Sequence, residues 1–178
     1  MTTKTTAMLA TLALGFAVVG AQAADKAARE EATLSNAKVS LTQAIGIAEK
    51  EGGGQATSAD YVARKGSMGA YDIDVLSSDG SKLTKYRVSP STGKITKASN
   101  EAFEKVFTRI KPTELQNAPT SLKSAITTAE SQAGGKAVDA DTDRTGDSVR
   151  YTVKVAKADG TMEKVKVNGA DGKVASAK

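Results

Sequence analysis

The chain has no cysteine, no histidine and no tryptophan, and only 4% of its 178 residues are aromatic. Without cysteine there is no disulfide framework, and without cysteine or histidine the usual zinc ligand sets are gone. Ser-His-Asp and Cys-His constellations are excluded with them. No P-loop or dinucleotide-binding glycine pattern appears, and no Ser-x-x-Lys motif opens a helix. Asp72 and Asp74 lie two apart on one strand and could act as an acid–base pair, but no nucleophile or metal site accompanies them in the sequence. The chain therefore reads as a non-enzyme with no cofactor. Its core has to be built from Ala, Val, Ile and Leu with a few Tyr and Phe.

Long hydrophobic runs are also missing. The longest is Ala7–Val19, well short of the ~20 apolar residues of a bilayer-spanning helix. It follows Lys4 and is followed by Ala21-Gln22-Ala23, an A-x-A cleavage pattern. Residues 1–23 read as a secretory signal peptide cleaved near Ala23, with an uncleaved anchor as the competing reading. The expected location is periplasmic or secreted, with no transmembrane segment after cleavage.

What is present is a sentence written twice. Ser40-Leu41-Thr42-Gln43-Ala44-Ile45 … Ala48-Glu49 … Gly53-Gly54 recurs as Ser121-Leu122-Lys123-Ser124-Ala125-Ile126 … Ala129-Glu130 … Gly134-Gly135. Downstream, Tyr71-x-Ile73-x-Val75 … Asp79-Gly80 recurs as Tyr151-x-Val153-x-Val155 … Asp159-Gly160, and Val88 … Gly93-Lys94-Ile95 as Val167 … Gly172-Lys173-Val174. The offset falls from 81 to 80 to 79, so residues are lost in turns while the elements keep their lengths. An internal duplication fixes the architecture.

Each repeat opens with a helix. Ser40 caps the first, with Gln43 completing a capping box. Leu41, Ala44, Ile45 and Ala48 form its apolar stripe, and Gly52–Gly54 end it. Ser121, then Leu122, Ala125, Ile126 and Ala129, play the same parts in the second. The period then changes to two, with Asp79-Gly80 and Asp159-Gly160 as hairpin turns. A vaguer strand precedes Tyr71 and another precedes Tyr151. The expected fold is α+β: two tandem repeats, each with one helix packed on a 3–4-stranded antiparallel sheet, joined by a linker helix. The boundaries are a flexible lead-in at 24–38 with no apolar face, repeat one at 39–97, the linker helix at 98–119 and repeat two at 120–178. Within the linker, Phe103, Val106, Phe107 and Ile110 share one helix face, either plugging the gap between repeats or offering a hydrophobic docking stripe. Ser99 or Asn100 is the expected cap and Pro112 the expected stop. A lone repeat of about 60 residues is marginal, so the two should lean on each other or on a partner.

The repeats differ in charge. Residues 25 basic and 20 acidic in all give a net +5. Loop lengths place Asp74 opposite Lys85 and Asp72 opposite Arg87 in repeat one. In repeat two Lys154 falls opposite Lys164 and Thr152 opposite Lys166, with Arg150 on the same face. Like charges directly opposite are unfavourable. Arg150, Lys154, Lys164 and Lys166 are thus a candidate basic face for an acidic partner, or a solvated lysine face that blunts aggregation. Exposed aromatics are not interleaved with these cations, which argues against nucleic acid. Asp139-x-Asp141-x-Asp143 starts like a calcium loop, but Arg144 and Arg150 stand where Gly and Glu are needed. It is a weak calcium candidate, and the assignment is no metal.

The helix with Ala-Ile-x-x-Ala-Glu, the Tyr-x-(Ile/Val)-x-Val strand, the Asp-Gly turn and the Val … Gly-Lys-(Ile/Val) ending resemble the PepSY domain, in both repeats. The family tends to have Asp or Asn where repeat one has Ser89; repeat two has Asn168. The resemblance implies a bacterial envelope setting and contact with peptidases, as in metallopeptidase propeptides, and brings no catalytic residues. The expected function is an exported, non-catalytic protein-binding module, an inhibitor or regulator of an envelope peptidase. The alternative is an envelope structural or stress protein that self-associates or binds cell wall, an anionic surface or calcium. The oligomeric state stays open.

Overall fold

A computed structural model of the protein describes residues 18–64, 66–100, 112–146 and 148–177. In chain order the elements are α1 (Val18–Ser35), α2 (Leu41–Gly52), β1 (Gly54–Arg64), β2 (Ser67–Ser77), β3 (Leu83–Val88) and β4 (Ile95–Asn100). After the connection come α3 (Pro112–Gln116), α4 (Leu122–Ala133), β5 (Lys136–Thr145), β6 (Ser148–Ala156), β7 (Met162–Asn168) and β8 (Val174–Ala177).

Each repeat is one helix on a four-stranded antiparallel meander. The two meanders join edge to edge into one eight-stranded sheet, ordered β4-β3-β2-β1-β5-β6-β7-β8. The seam is short. Ser58 pairs with Asp141, Ala59 with Ala140 and Asp60 with Asp139. The first and third pairs exchange equivalent positions of the two repeats, so Ala59 and Ala140 sit at a local pseudo-two-fold axis. A second tie crosses the seam on the helix side, where the Lys123 ammonium of α4 meets the Glu49 carboxylate of α2 at 2.6 Å. Joining the sheets removes two unpaired edges and gives both half-domains one continuous core.

Local chemistry fixes the helices. Ser40 Oγ accepts from the Gln43 N–H while the Gln43 side chain accepts from the Ser40 N–H. Ser121 caps α4 through the Ser124 N–H. Leu41, Ala44, Ile45 and Ala48, and Leu122, Ala125, Ile126 and Ala129, are the buried faces. They meet Ile73, Val75, Val153, Val155, Val165 and Val167, each fully or almost fully buried. Both helices end on a left-handed glycine, Gly53 and Gly134. Ala59 and Ala140 are buried at the seam, and α2 and α4 touch each other.

One feature differs from the sequence expectation, and the linker is only partly described. Residues 24–38 fall largely within α1, which does have an apolar face: Ala27 and Leu34 are buried with Glu30 between them, packed on β5 and β6. Ser99 and Asn100 belong to β4, paired with Lys85 and Thr84; the helix they were expected to cap lies outside the described residues. Pro112 opens α3, where its missing N–H costs nothing at a first helical position; the segment it was expected to stop lies outside the described residues. Phe103, Val106, Phe107 and Ile110 lie outside the described residues.

Candidate functional site

Helices α2 and α4 cover one face of the sheet, and the buried residues of α1 and α3 join the same core. The opposite face carries the charged side chains. Two rows cross it, the first from β4 to β7 and the second from β4 to β8. The first runs Lys97, Arg87, Asp72, Asp60, Asp139, Lys154, Lys164 through successive strand pairings. The second runs Ser99, Lys85, Asp74, Ser58, Asp141, Thr152, Lys166, Ser176. Both place carboxylates at the seam and cations toward the flanks.

On the repeat-one flank both β3 cations have a carboxylate across the ladder. Arg87 holds Asp72 through two hydrogen bonds, its Nε donating at 2.6 Å, and this pairing raises the guanidinium pKa further. Lys85 reaches Asp74 at 3.6 Å. The register that the hairpin length implied is the observed one. On the repeat-two flank the expected pairings Lys154–Lys164 and Thr152–Lys166 are also observed.

The four basic residues singled out in repeat two do not remain a set. Lys154 turns to the seam and donates to Asp139 Oδ2 at 2.7 Å, which raises the lysine pKa. That partner belongs to β5, whose placement beside β6 was not used in the sequence argument. Arg150, Lys164 and Lys166 have no ion-pair partner among the described residues. With Thr152, Asp143, Arg144 and Thr145 they line an open cavity of about 600 Å³. Asp143 lies across from Arg150 in the register, and the Thr152 hydroxyl leans toward it at 3.5 Å. Arg144 is drawn away to Glu114 of α3 at 3.3 Å.

Asp139, Asp141 and Asp143 form no calcium loop. They alternate along β5, and strand geometry strings same-face residues nearly 7 Å apart instead of folding them round an ion. Among the described residues no group of acidic side chains is arranged to hold a metal. Asp72 and Asp74 are committed to Arg87 and Lys85 and not to each other.

The group that sequence reasoning missed is Asp60. Burial, then the neighbouring Asp139, Asp141 and Asp74, push its carboxyl up to about 6, with Lys154 opposing. Its position between Asp72 and Asp139 follows only from the seam pairing.

A sequence model of the PepSY family, described as "Peptidase propeptide and YPEB domain", matches residues 38–98 and again residues 120–178. The chain belongs to the PepSY family. A search of curated proteins finds no match. Among solved structures, the chain is similar to a protein from Clostridium difficile 630 described as a "putative lipoprotein", at 16% identity and a TM-score of 0.51. The match covers 84% of this chain and 98% of that one, and it supports the fold alone. No helix among the described residues is long and apolar enough to cross a membrane.

The repeated PepSY signature residues have structural work in both halves. The tyrosines donate from beneath the sheet to the backbone just before each helix: Tyr71 to the Val39 carbonyl and Tyr151 to the Thr120 carbonyl. Burial pushes the Tyr151 phenol up to about 12. The Ala-Glu carboxylates reach over the helix end to the next strand, Glu49 accepting from the Ala56 N–H at 3.1 Å and Glu130 from the Ala137 N–H at 2.9 Å. Both amides lie beside bulges in the β1–β2 and β5–β6 ladders. The signature thus builds the scaffold, and the charged face varies on top of it.

Proposed function

We propose that the chain is an exported, non-catalytic protein-binding module that restrains or regulates an envelope peptidase. The observation that carries this reading is the tandem match to a domain described as a peptidase propeptide. The wide charged face left uncovered by the described helices supports it, since charged faces steer and orient partners of complementary charge. The apolar run Ala7–Val19 followed by Ala21-Gln22-Ala23 supports export, and the residue types needed for common nucleophilic and zinc chemistry are absent from the sequence.

The test is chemical crosslinking of the full chain in its native envelope, followed by an activity assay of the captured protein. The reading expects a peptidase among the crosslinked species, and a fall in its activity when purified protein is added. A survey that captures no envelope protein, or a captured peptidase whose activity is untouched, rejects it.

A further inference from the structure

We propose that the open cavity on the sheet face over β5, β6 and β7, walled by Arg150, Lys164 and Lys166, binds an extended acidic peptide segment, taking its carboxylate side chains at alternate positions. This rests on the reading of the chain as a protein-binding module and names the chemistry of what it binds.

The first support is the pattern of exchange between the repeats. Arg87 of repeat one has Asp72 across the strand, and its counterpart Lys166 has Thr152. Lys85 has Asp74 across the strand, and its counterpart Lys164 has Lys154. Arg150 stands where repeat one has Ala70. All three exchanges remove a negative charge or add a positive one, and all fall on the same face of the same two strands. Repeat one shows the alternative arrangement: the same fold with its β3 cations, Arg87 and Lys85, held by carboxylates across the strand. Scattered lysines that merely solubilise an edge would not need the loss of both cross-strand partners.

The second support is spacing. Lys164 and Lys166 are two apart on β7, so they project from the same face at the repeat distance of an extended chain, ~6.6 Å. An extended peptide along the strand presents every second side chain to the sheet at that same interval. Two carboxylates at i and i+2 can therefore each meet one ammonium, while Arg150 at the far wall offers a fork for a third or for a carboxylate pair. Thr152, on the floor, supplies a hydroxyl. Asp143 closes one end with negative charge and sets a limit to how far an acidic segment can run. The cavity, about 600 Å³, is within the usual size of a ligand site.

The probes are a decapeptide of alternating Glu and Thr, its Gln-Thr counterpart, and vesicles containing anionic phospholipid, each titrated with the full chain. The Glu-Thr peptide binds with an affinity that falls as salt rises, and the Gln-Thr peptide does not bind. Lys164→Gln with Lys166→Gln weakens the Glu-Thr peptide about tenfold. Lys94→Gln with Lys97→Gln, an equal loss of charge near the opposite edge, changes it less than about twofold. Neither pair forms an ion pair among the described residues, so unchanged melting temperatures certify that the variants are folded. Equal weakening by both pairs, absence of Glu-Thr binding, or binding of vesicles without the peptide overturns the proposal. Its failure separates from failure of the binding-module reading. A crosslinked peptidase whose capture is unaffected by Lys164→Gln with Lys166→Gln leaves the module and removes the groove; groove binding of the peptide with no captured peptidase does the reverse.

Discussion

Replacing Asp60 with asparagine should make the protein more stable at pH 8 and leave it unchanged near pH 4. The Asp60 carboxyl faces Asp72 from β2 and Asp139 from β5 along its own row, with Asp74 and Asp141 in the next row. Lys154 is the cation that favours its charge, and it is already bonded to Asp139. The folded-state pKa is pushed from 3.8 to about 6, so between those values the folded chain holds a proton that the unfolded chain has lost. Ionised Asp60 therefore costs stability: the cost is full above about pH 6, shrinks as pH falls, and is gone near pH 4. A displacement of that size corresponds to roughly 3 kcal/mol without solvent. Asp60 is only half-buried, and screening brings the expected cost to about 1 kcal/mol. Asparagine keeps the shape and removes the charge. For a chain of this length the gain is a rise in melting temperature of about 3 °C at pH 8, against less than about 1 °C at pH 4. The assay is thermal unfolding of wild type and Asp60→Asn at both pH values, so that all other titrating groups cancel. A variant that is less stable at pH 8, or one shifted equally at both pH values, refutes the carboxylate-crowding argument.

Tyr151→Phe removes the hydroxyl that donates to the Thr120 carbonyl and leaves that acceptor buried; urea unfolding should show a loss of about 1 kcal/mol. Leu34→Ala should cost about 2 kcal/mol, since Leu34 is buried in the common core; a loss under about 0.5 kcal/mol would mean that α1 is not packed there. At Gly135 an added Cβ would strike the Ala156 carbonyl oxygen and come within 2.9 Å of Val155. Gly135→Ala should therefore lower stability by about 2 kcal/mol or more, read by the same urea assay, and should do so without touching the charged face.

Most of the scaffold is legible in the sequence because the duplication states each element twice. The hairpin registers follow from loop length alone: with apolar residues required on one face, six residues between Leu76 and Leu83 and five between Ala156 and Met162 leave one solution each. That is why Asp72–Arg87 and Lys154–Lys164 could be read in advance. The seam could not. Ser58, Ala59 and Asp60 meet β5 without a connecting turn, so no loop length reports the pairing. With it went the Asp139–Lys154 bond and the crowding at Asp60. A signal for α1 was present but faint. Leu34-x-Asn36-Ala37 recurs as Leu115-x-Asn117-Ala118 at the same offset as the helices. Both leucines are buried, and in both copies the alanine N–H bonds back to the leucine carbonyl. An alanine-rich, charged segment with one leucine hides that match from a periodicity argument.

A photo-crosslinking residue placed at position 164 or at position 97, in the full chain within its native envelope, probes the two flanks of the same sheet face. Contact through the second repeat predicts a covalent adduct with a peptidase from position 164 and none from position 97. An adduct from position 97 alone, or from neither, contradicts it.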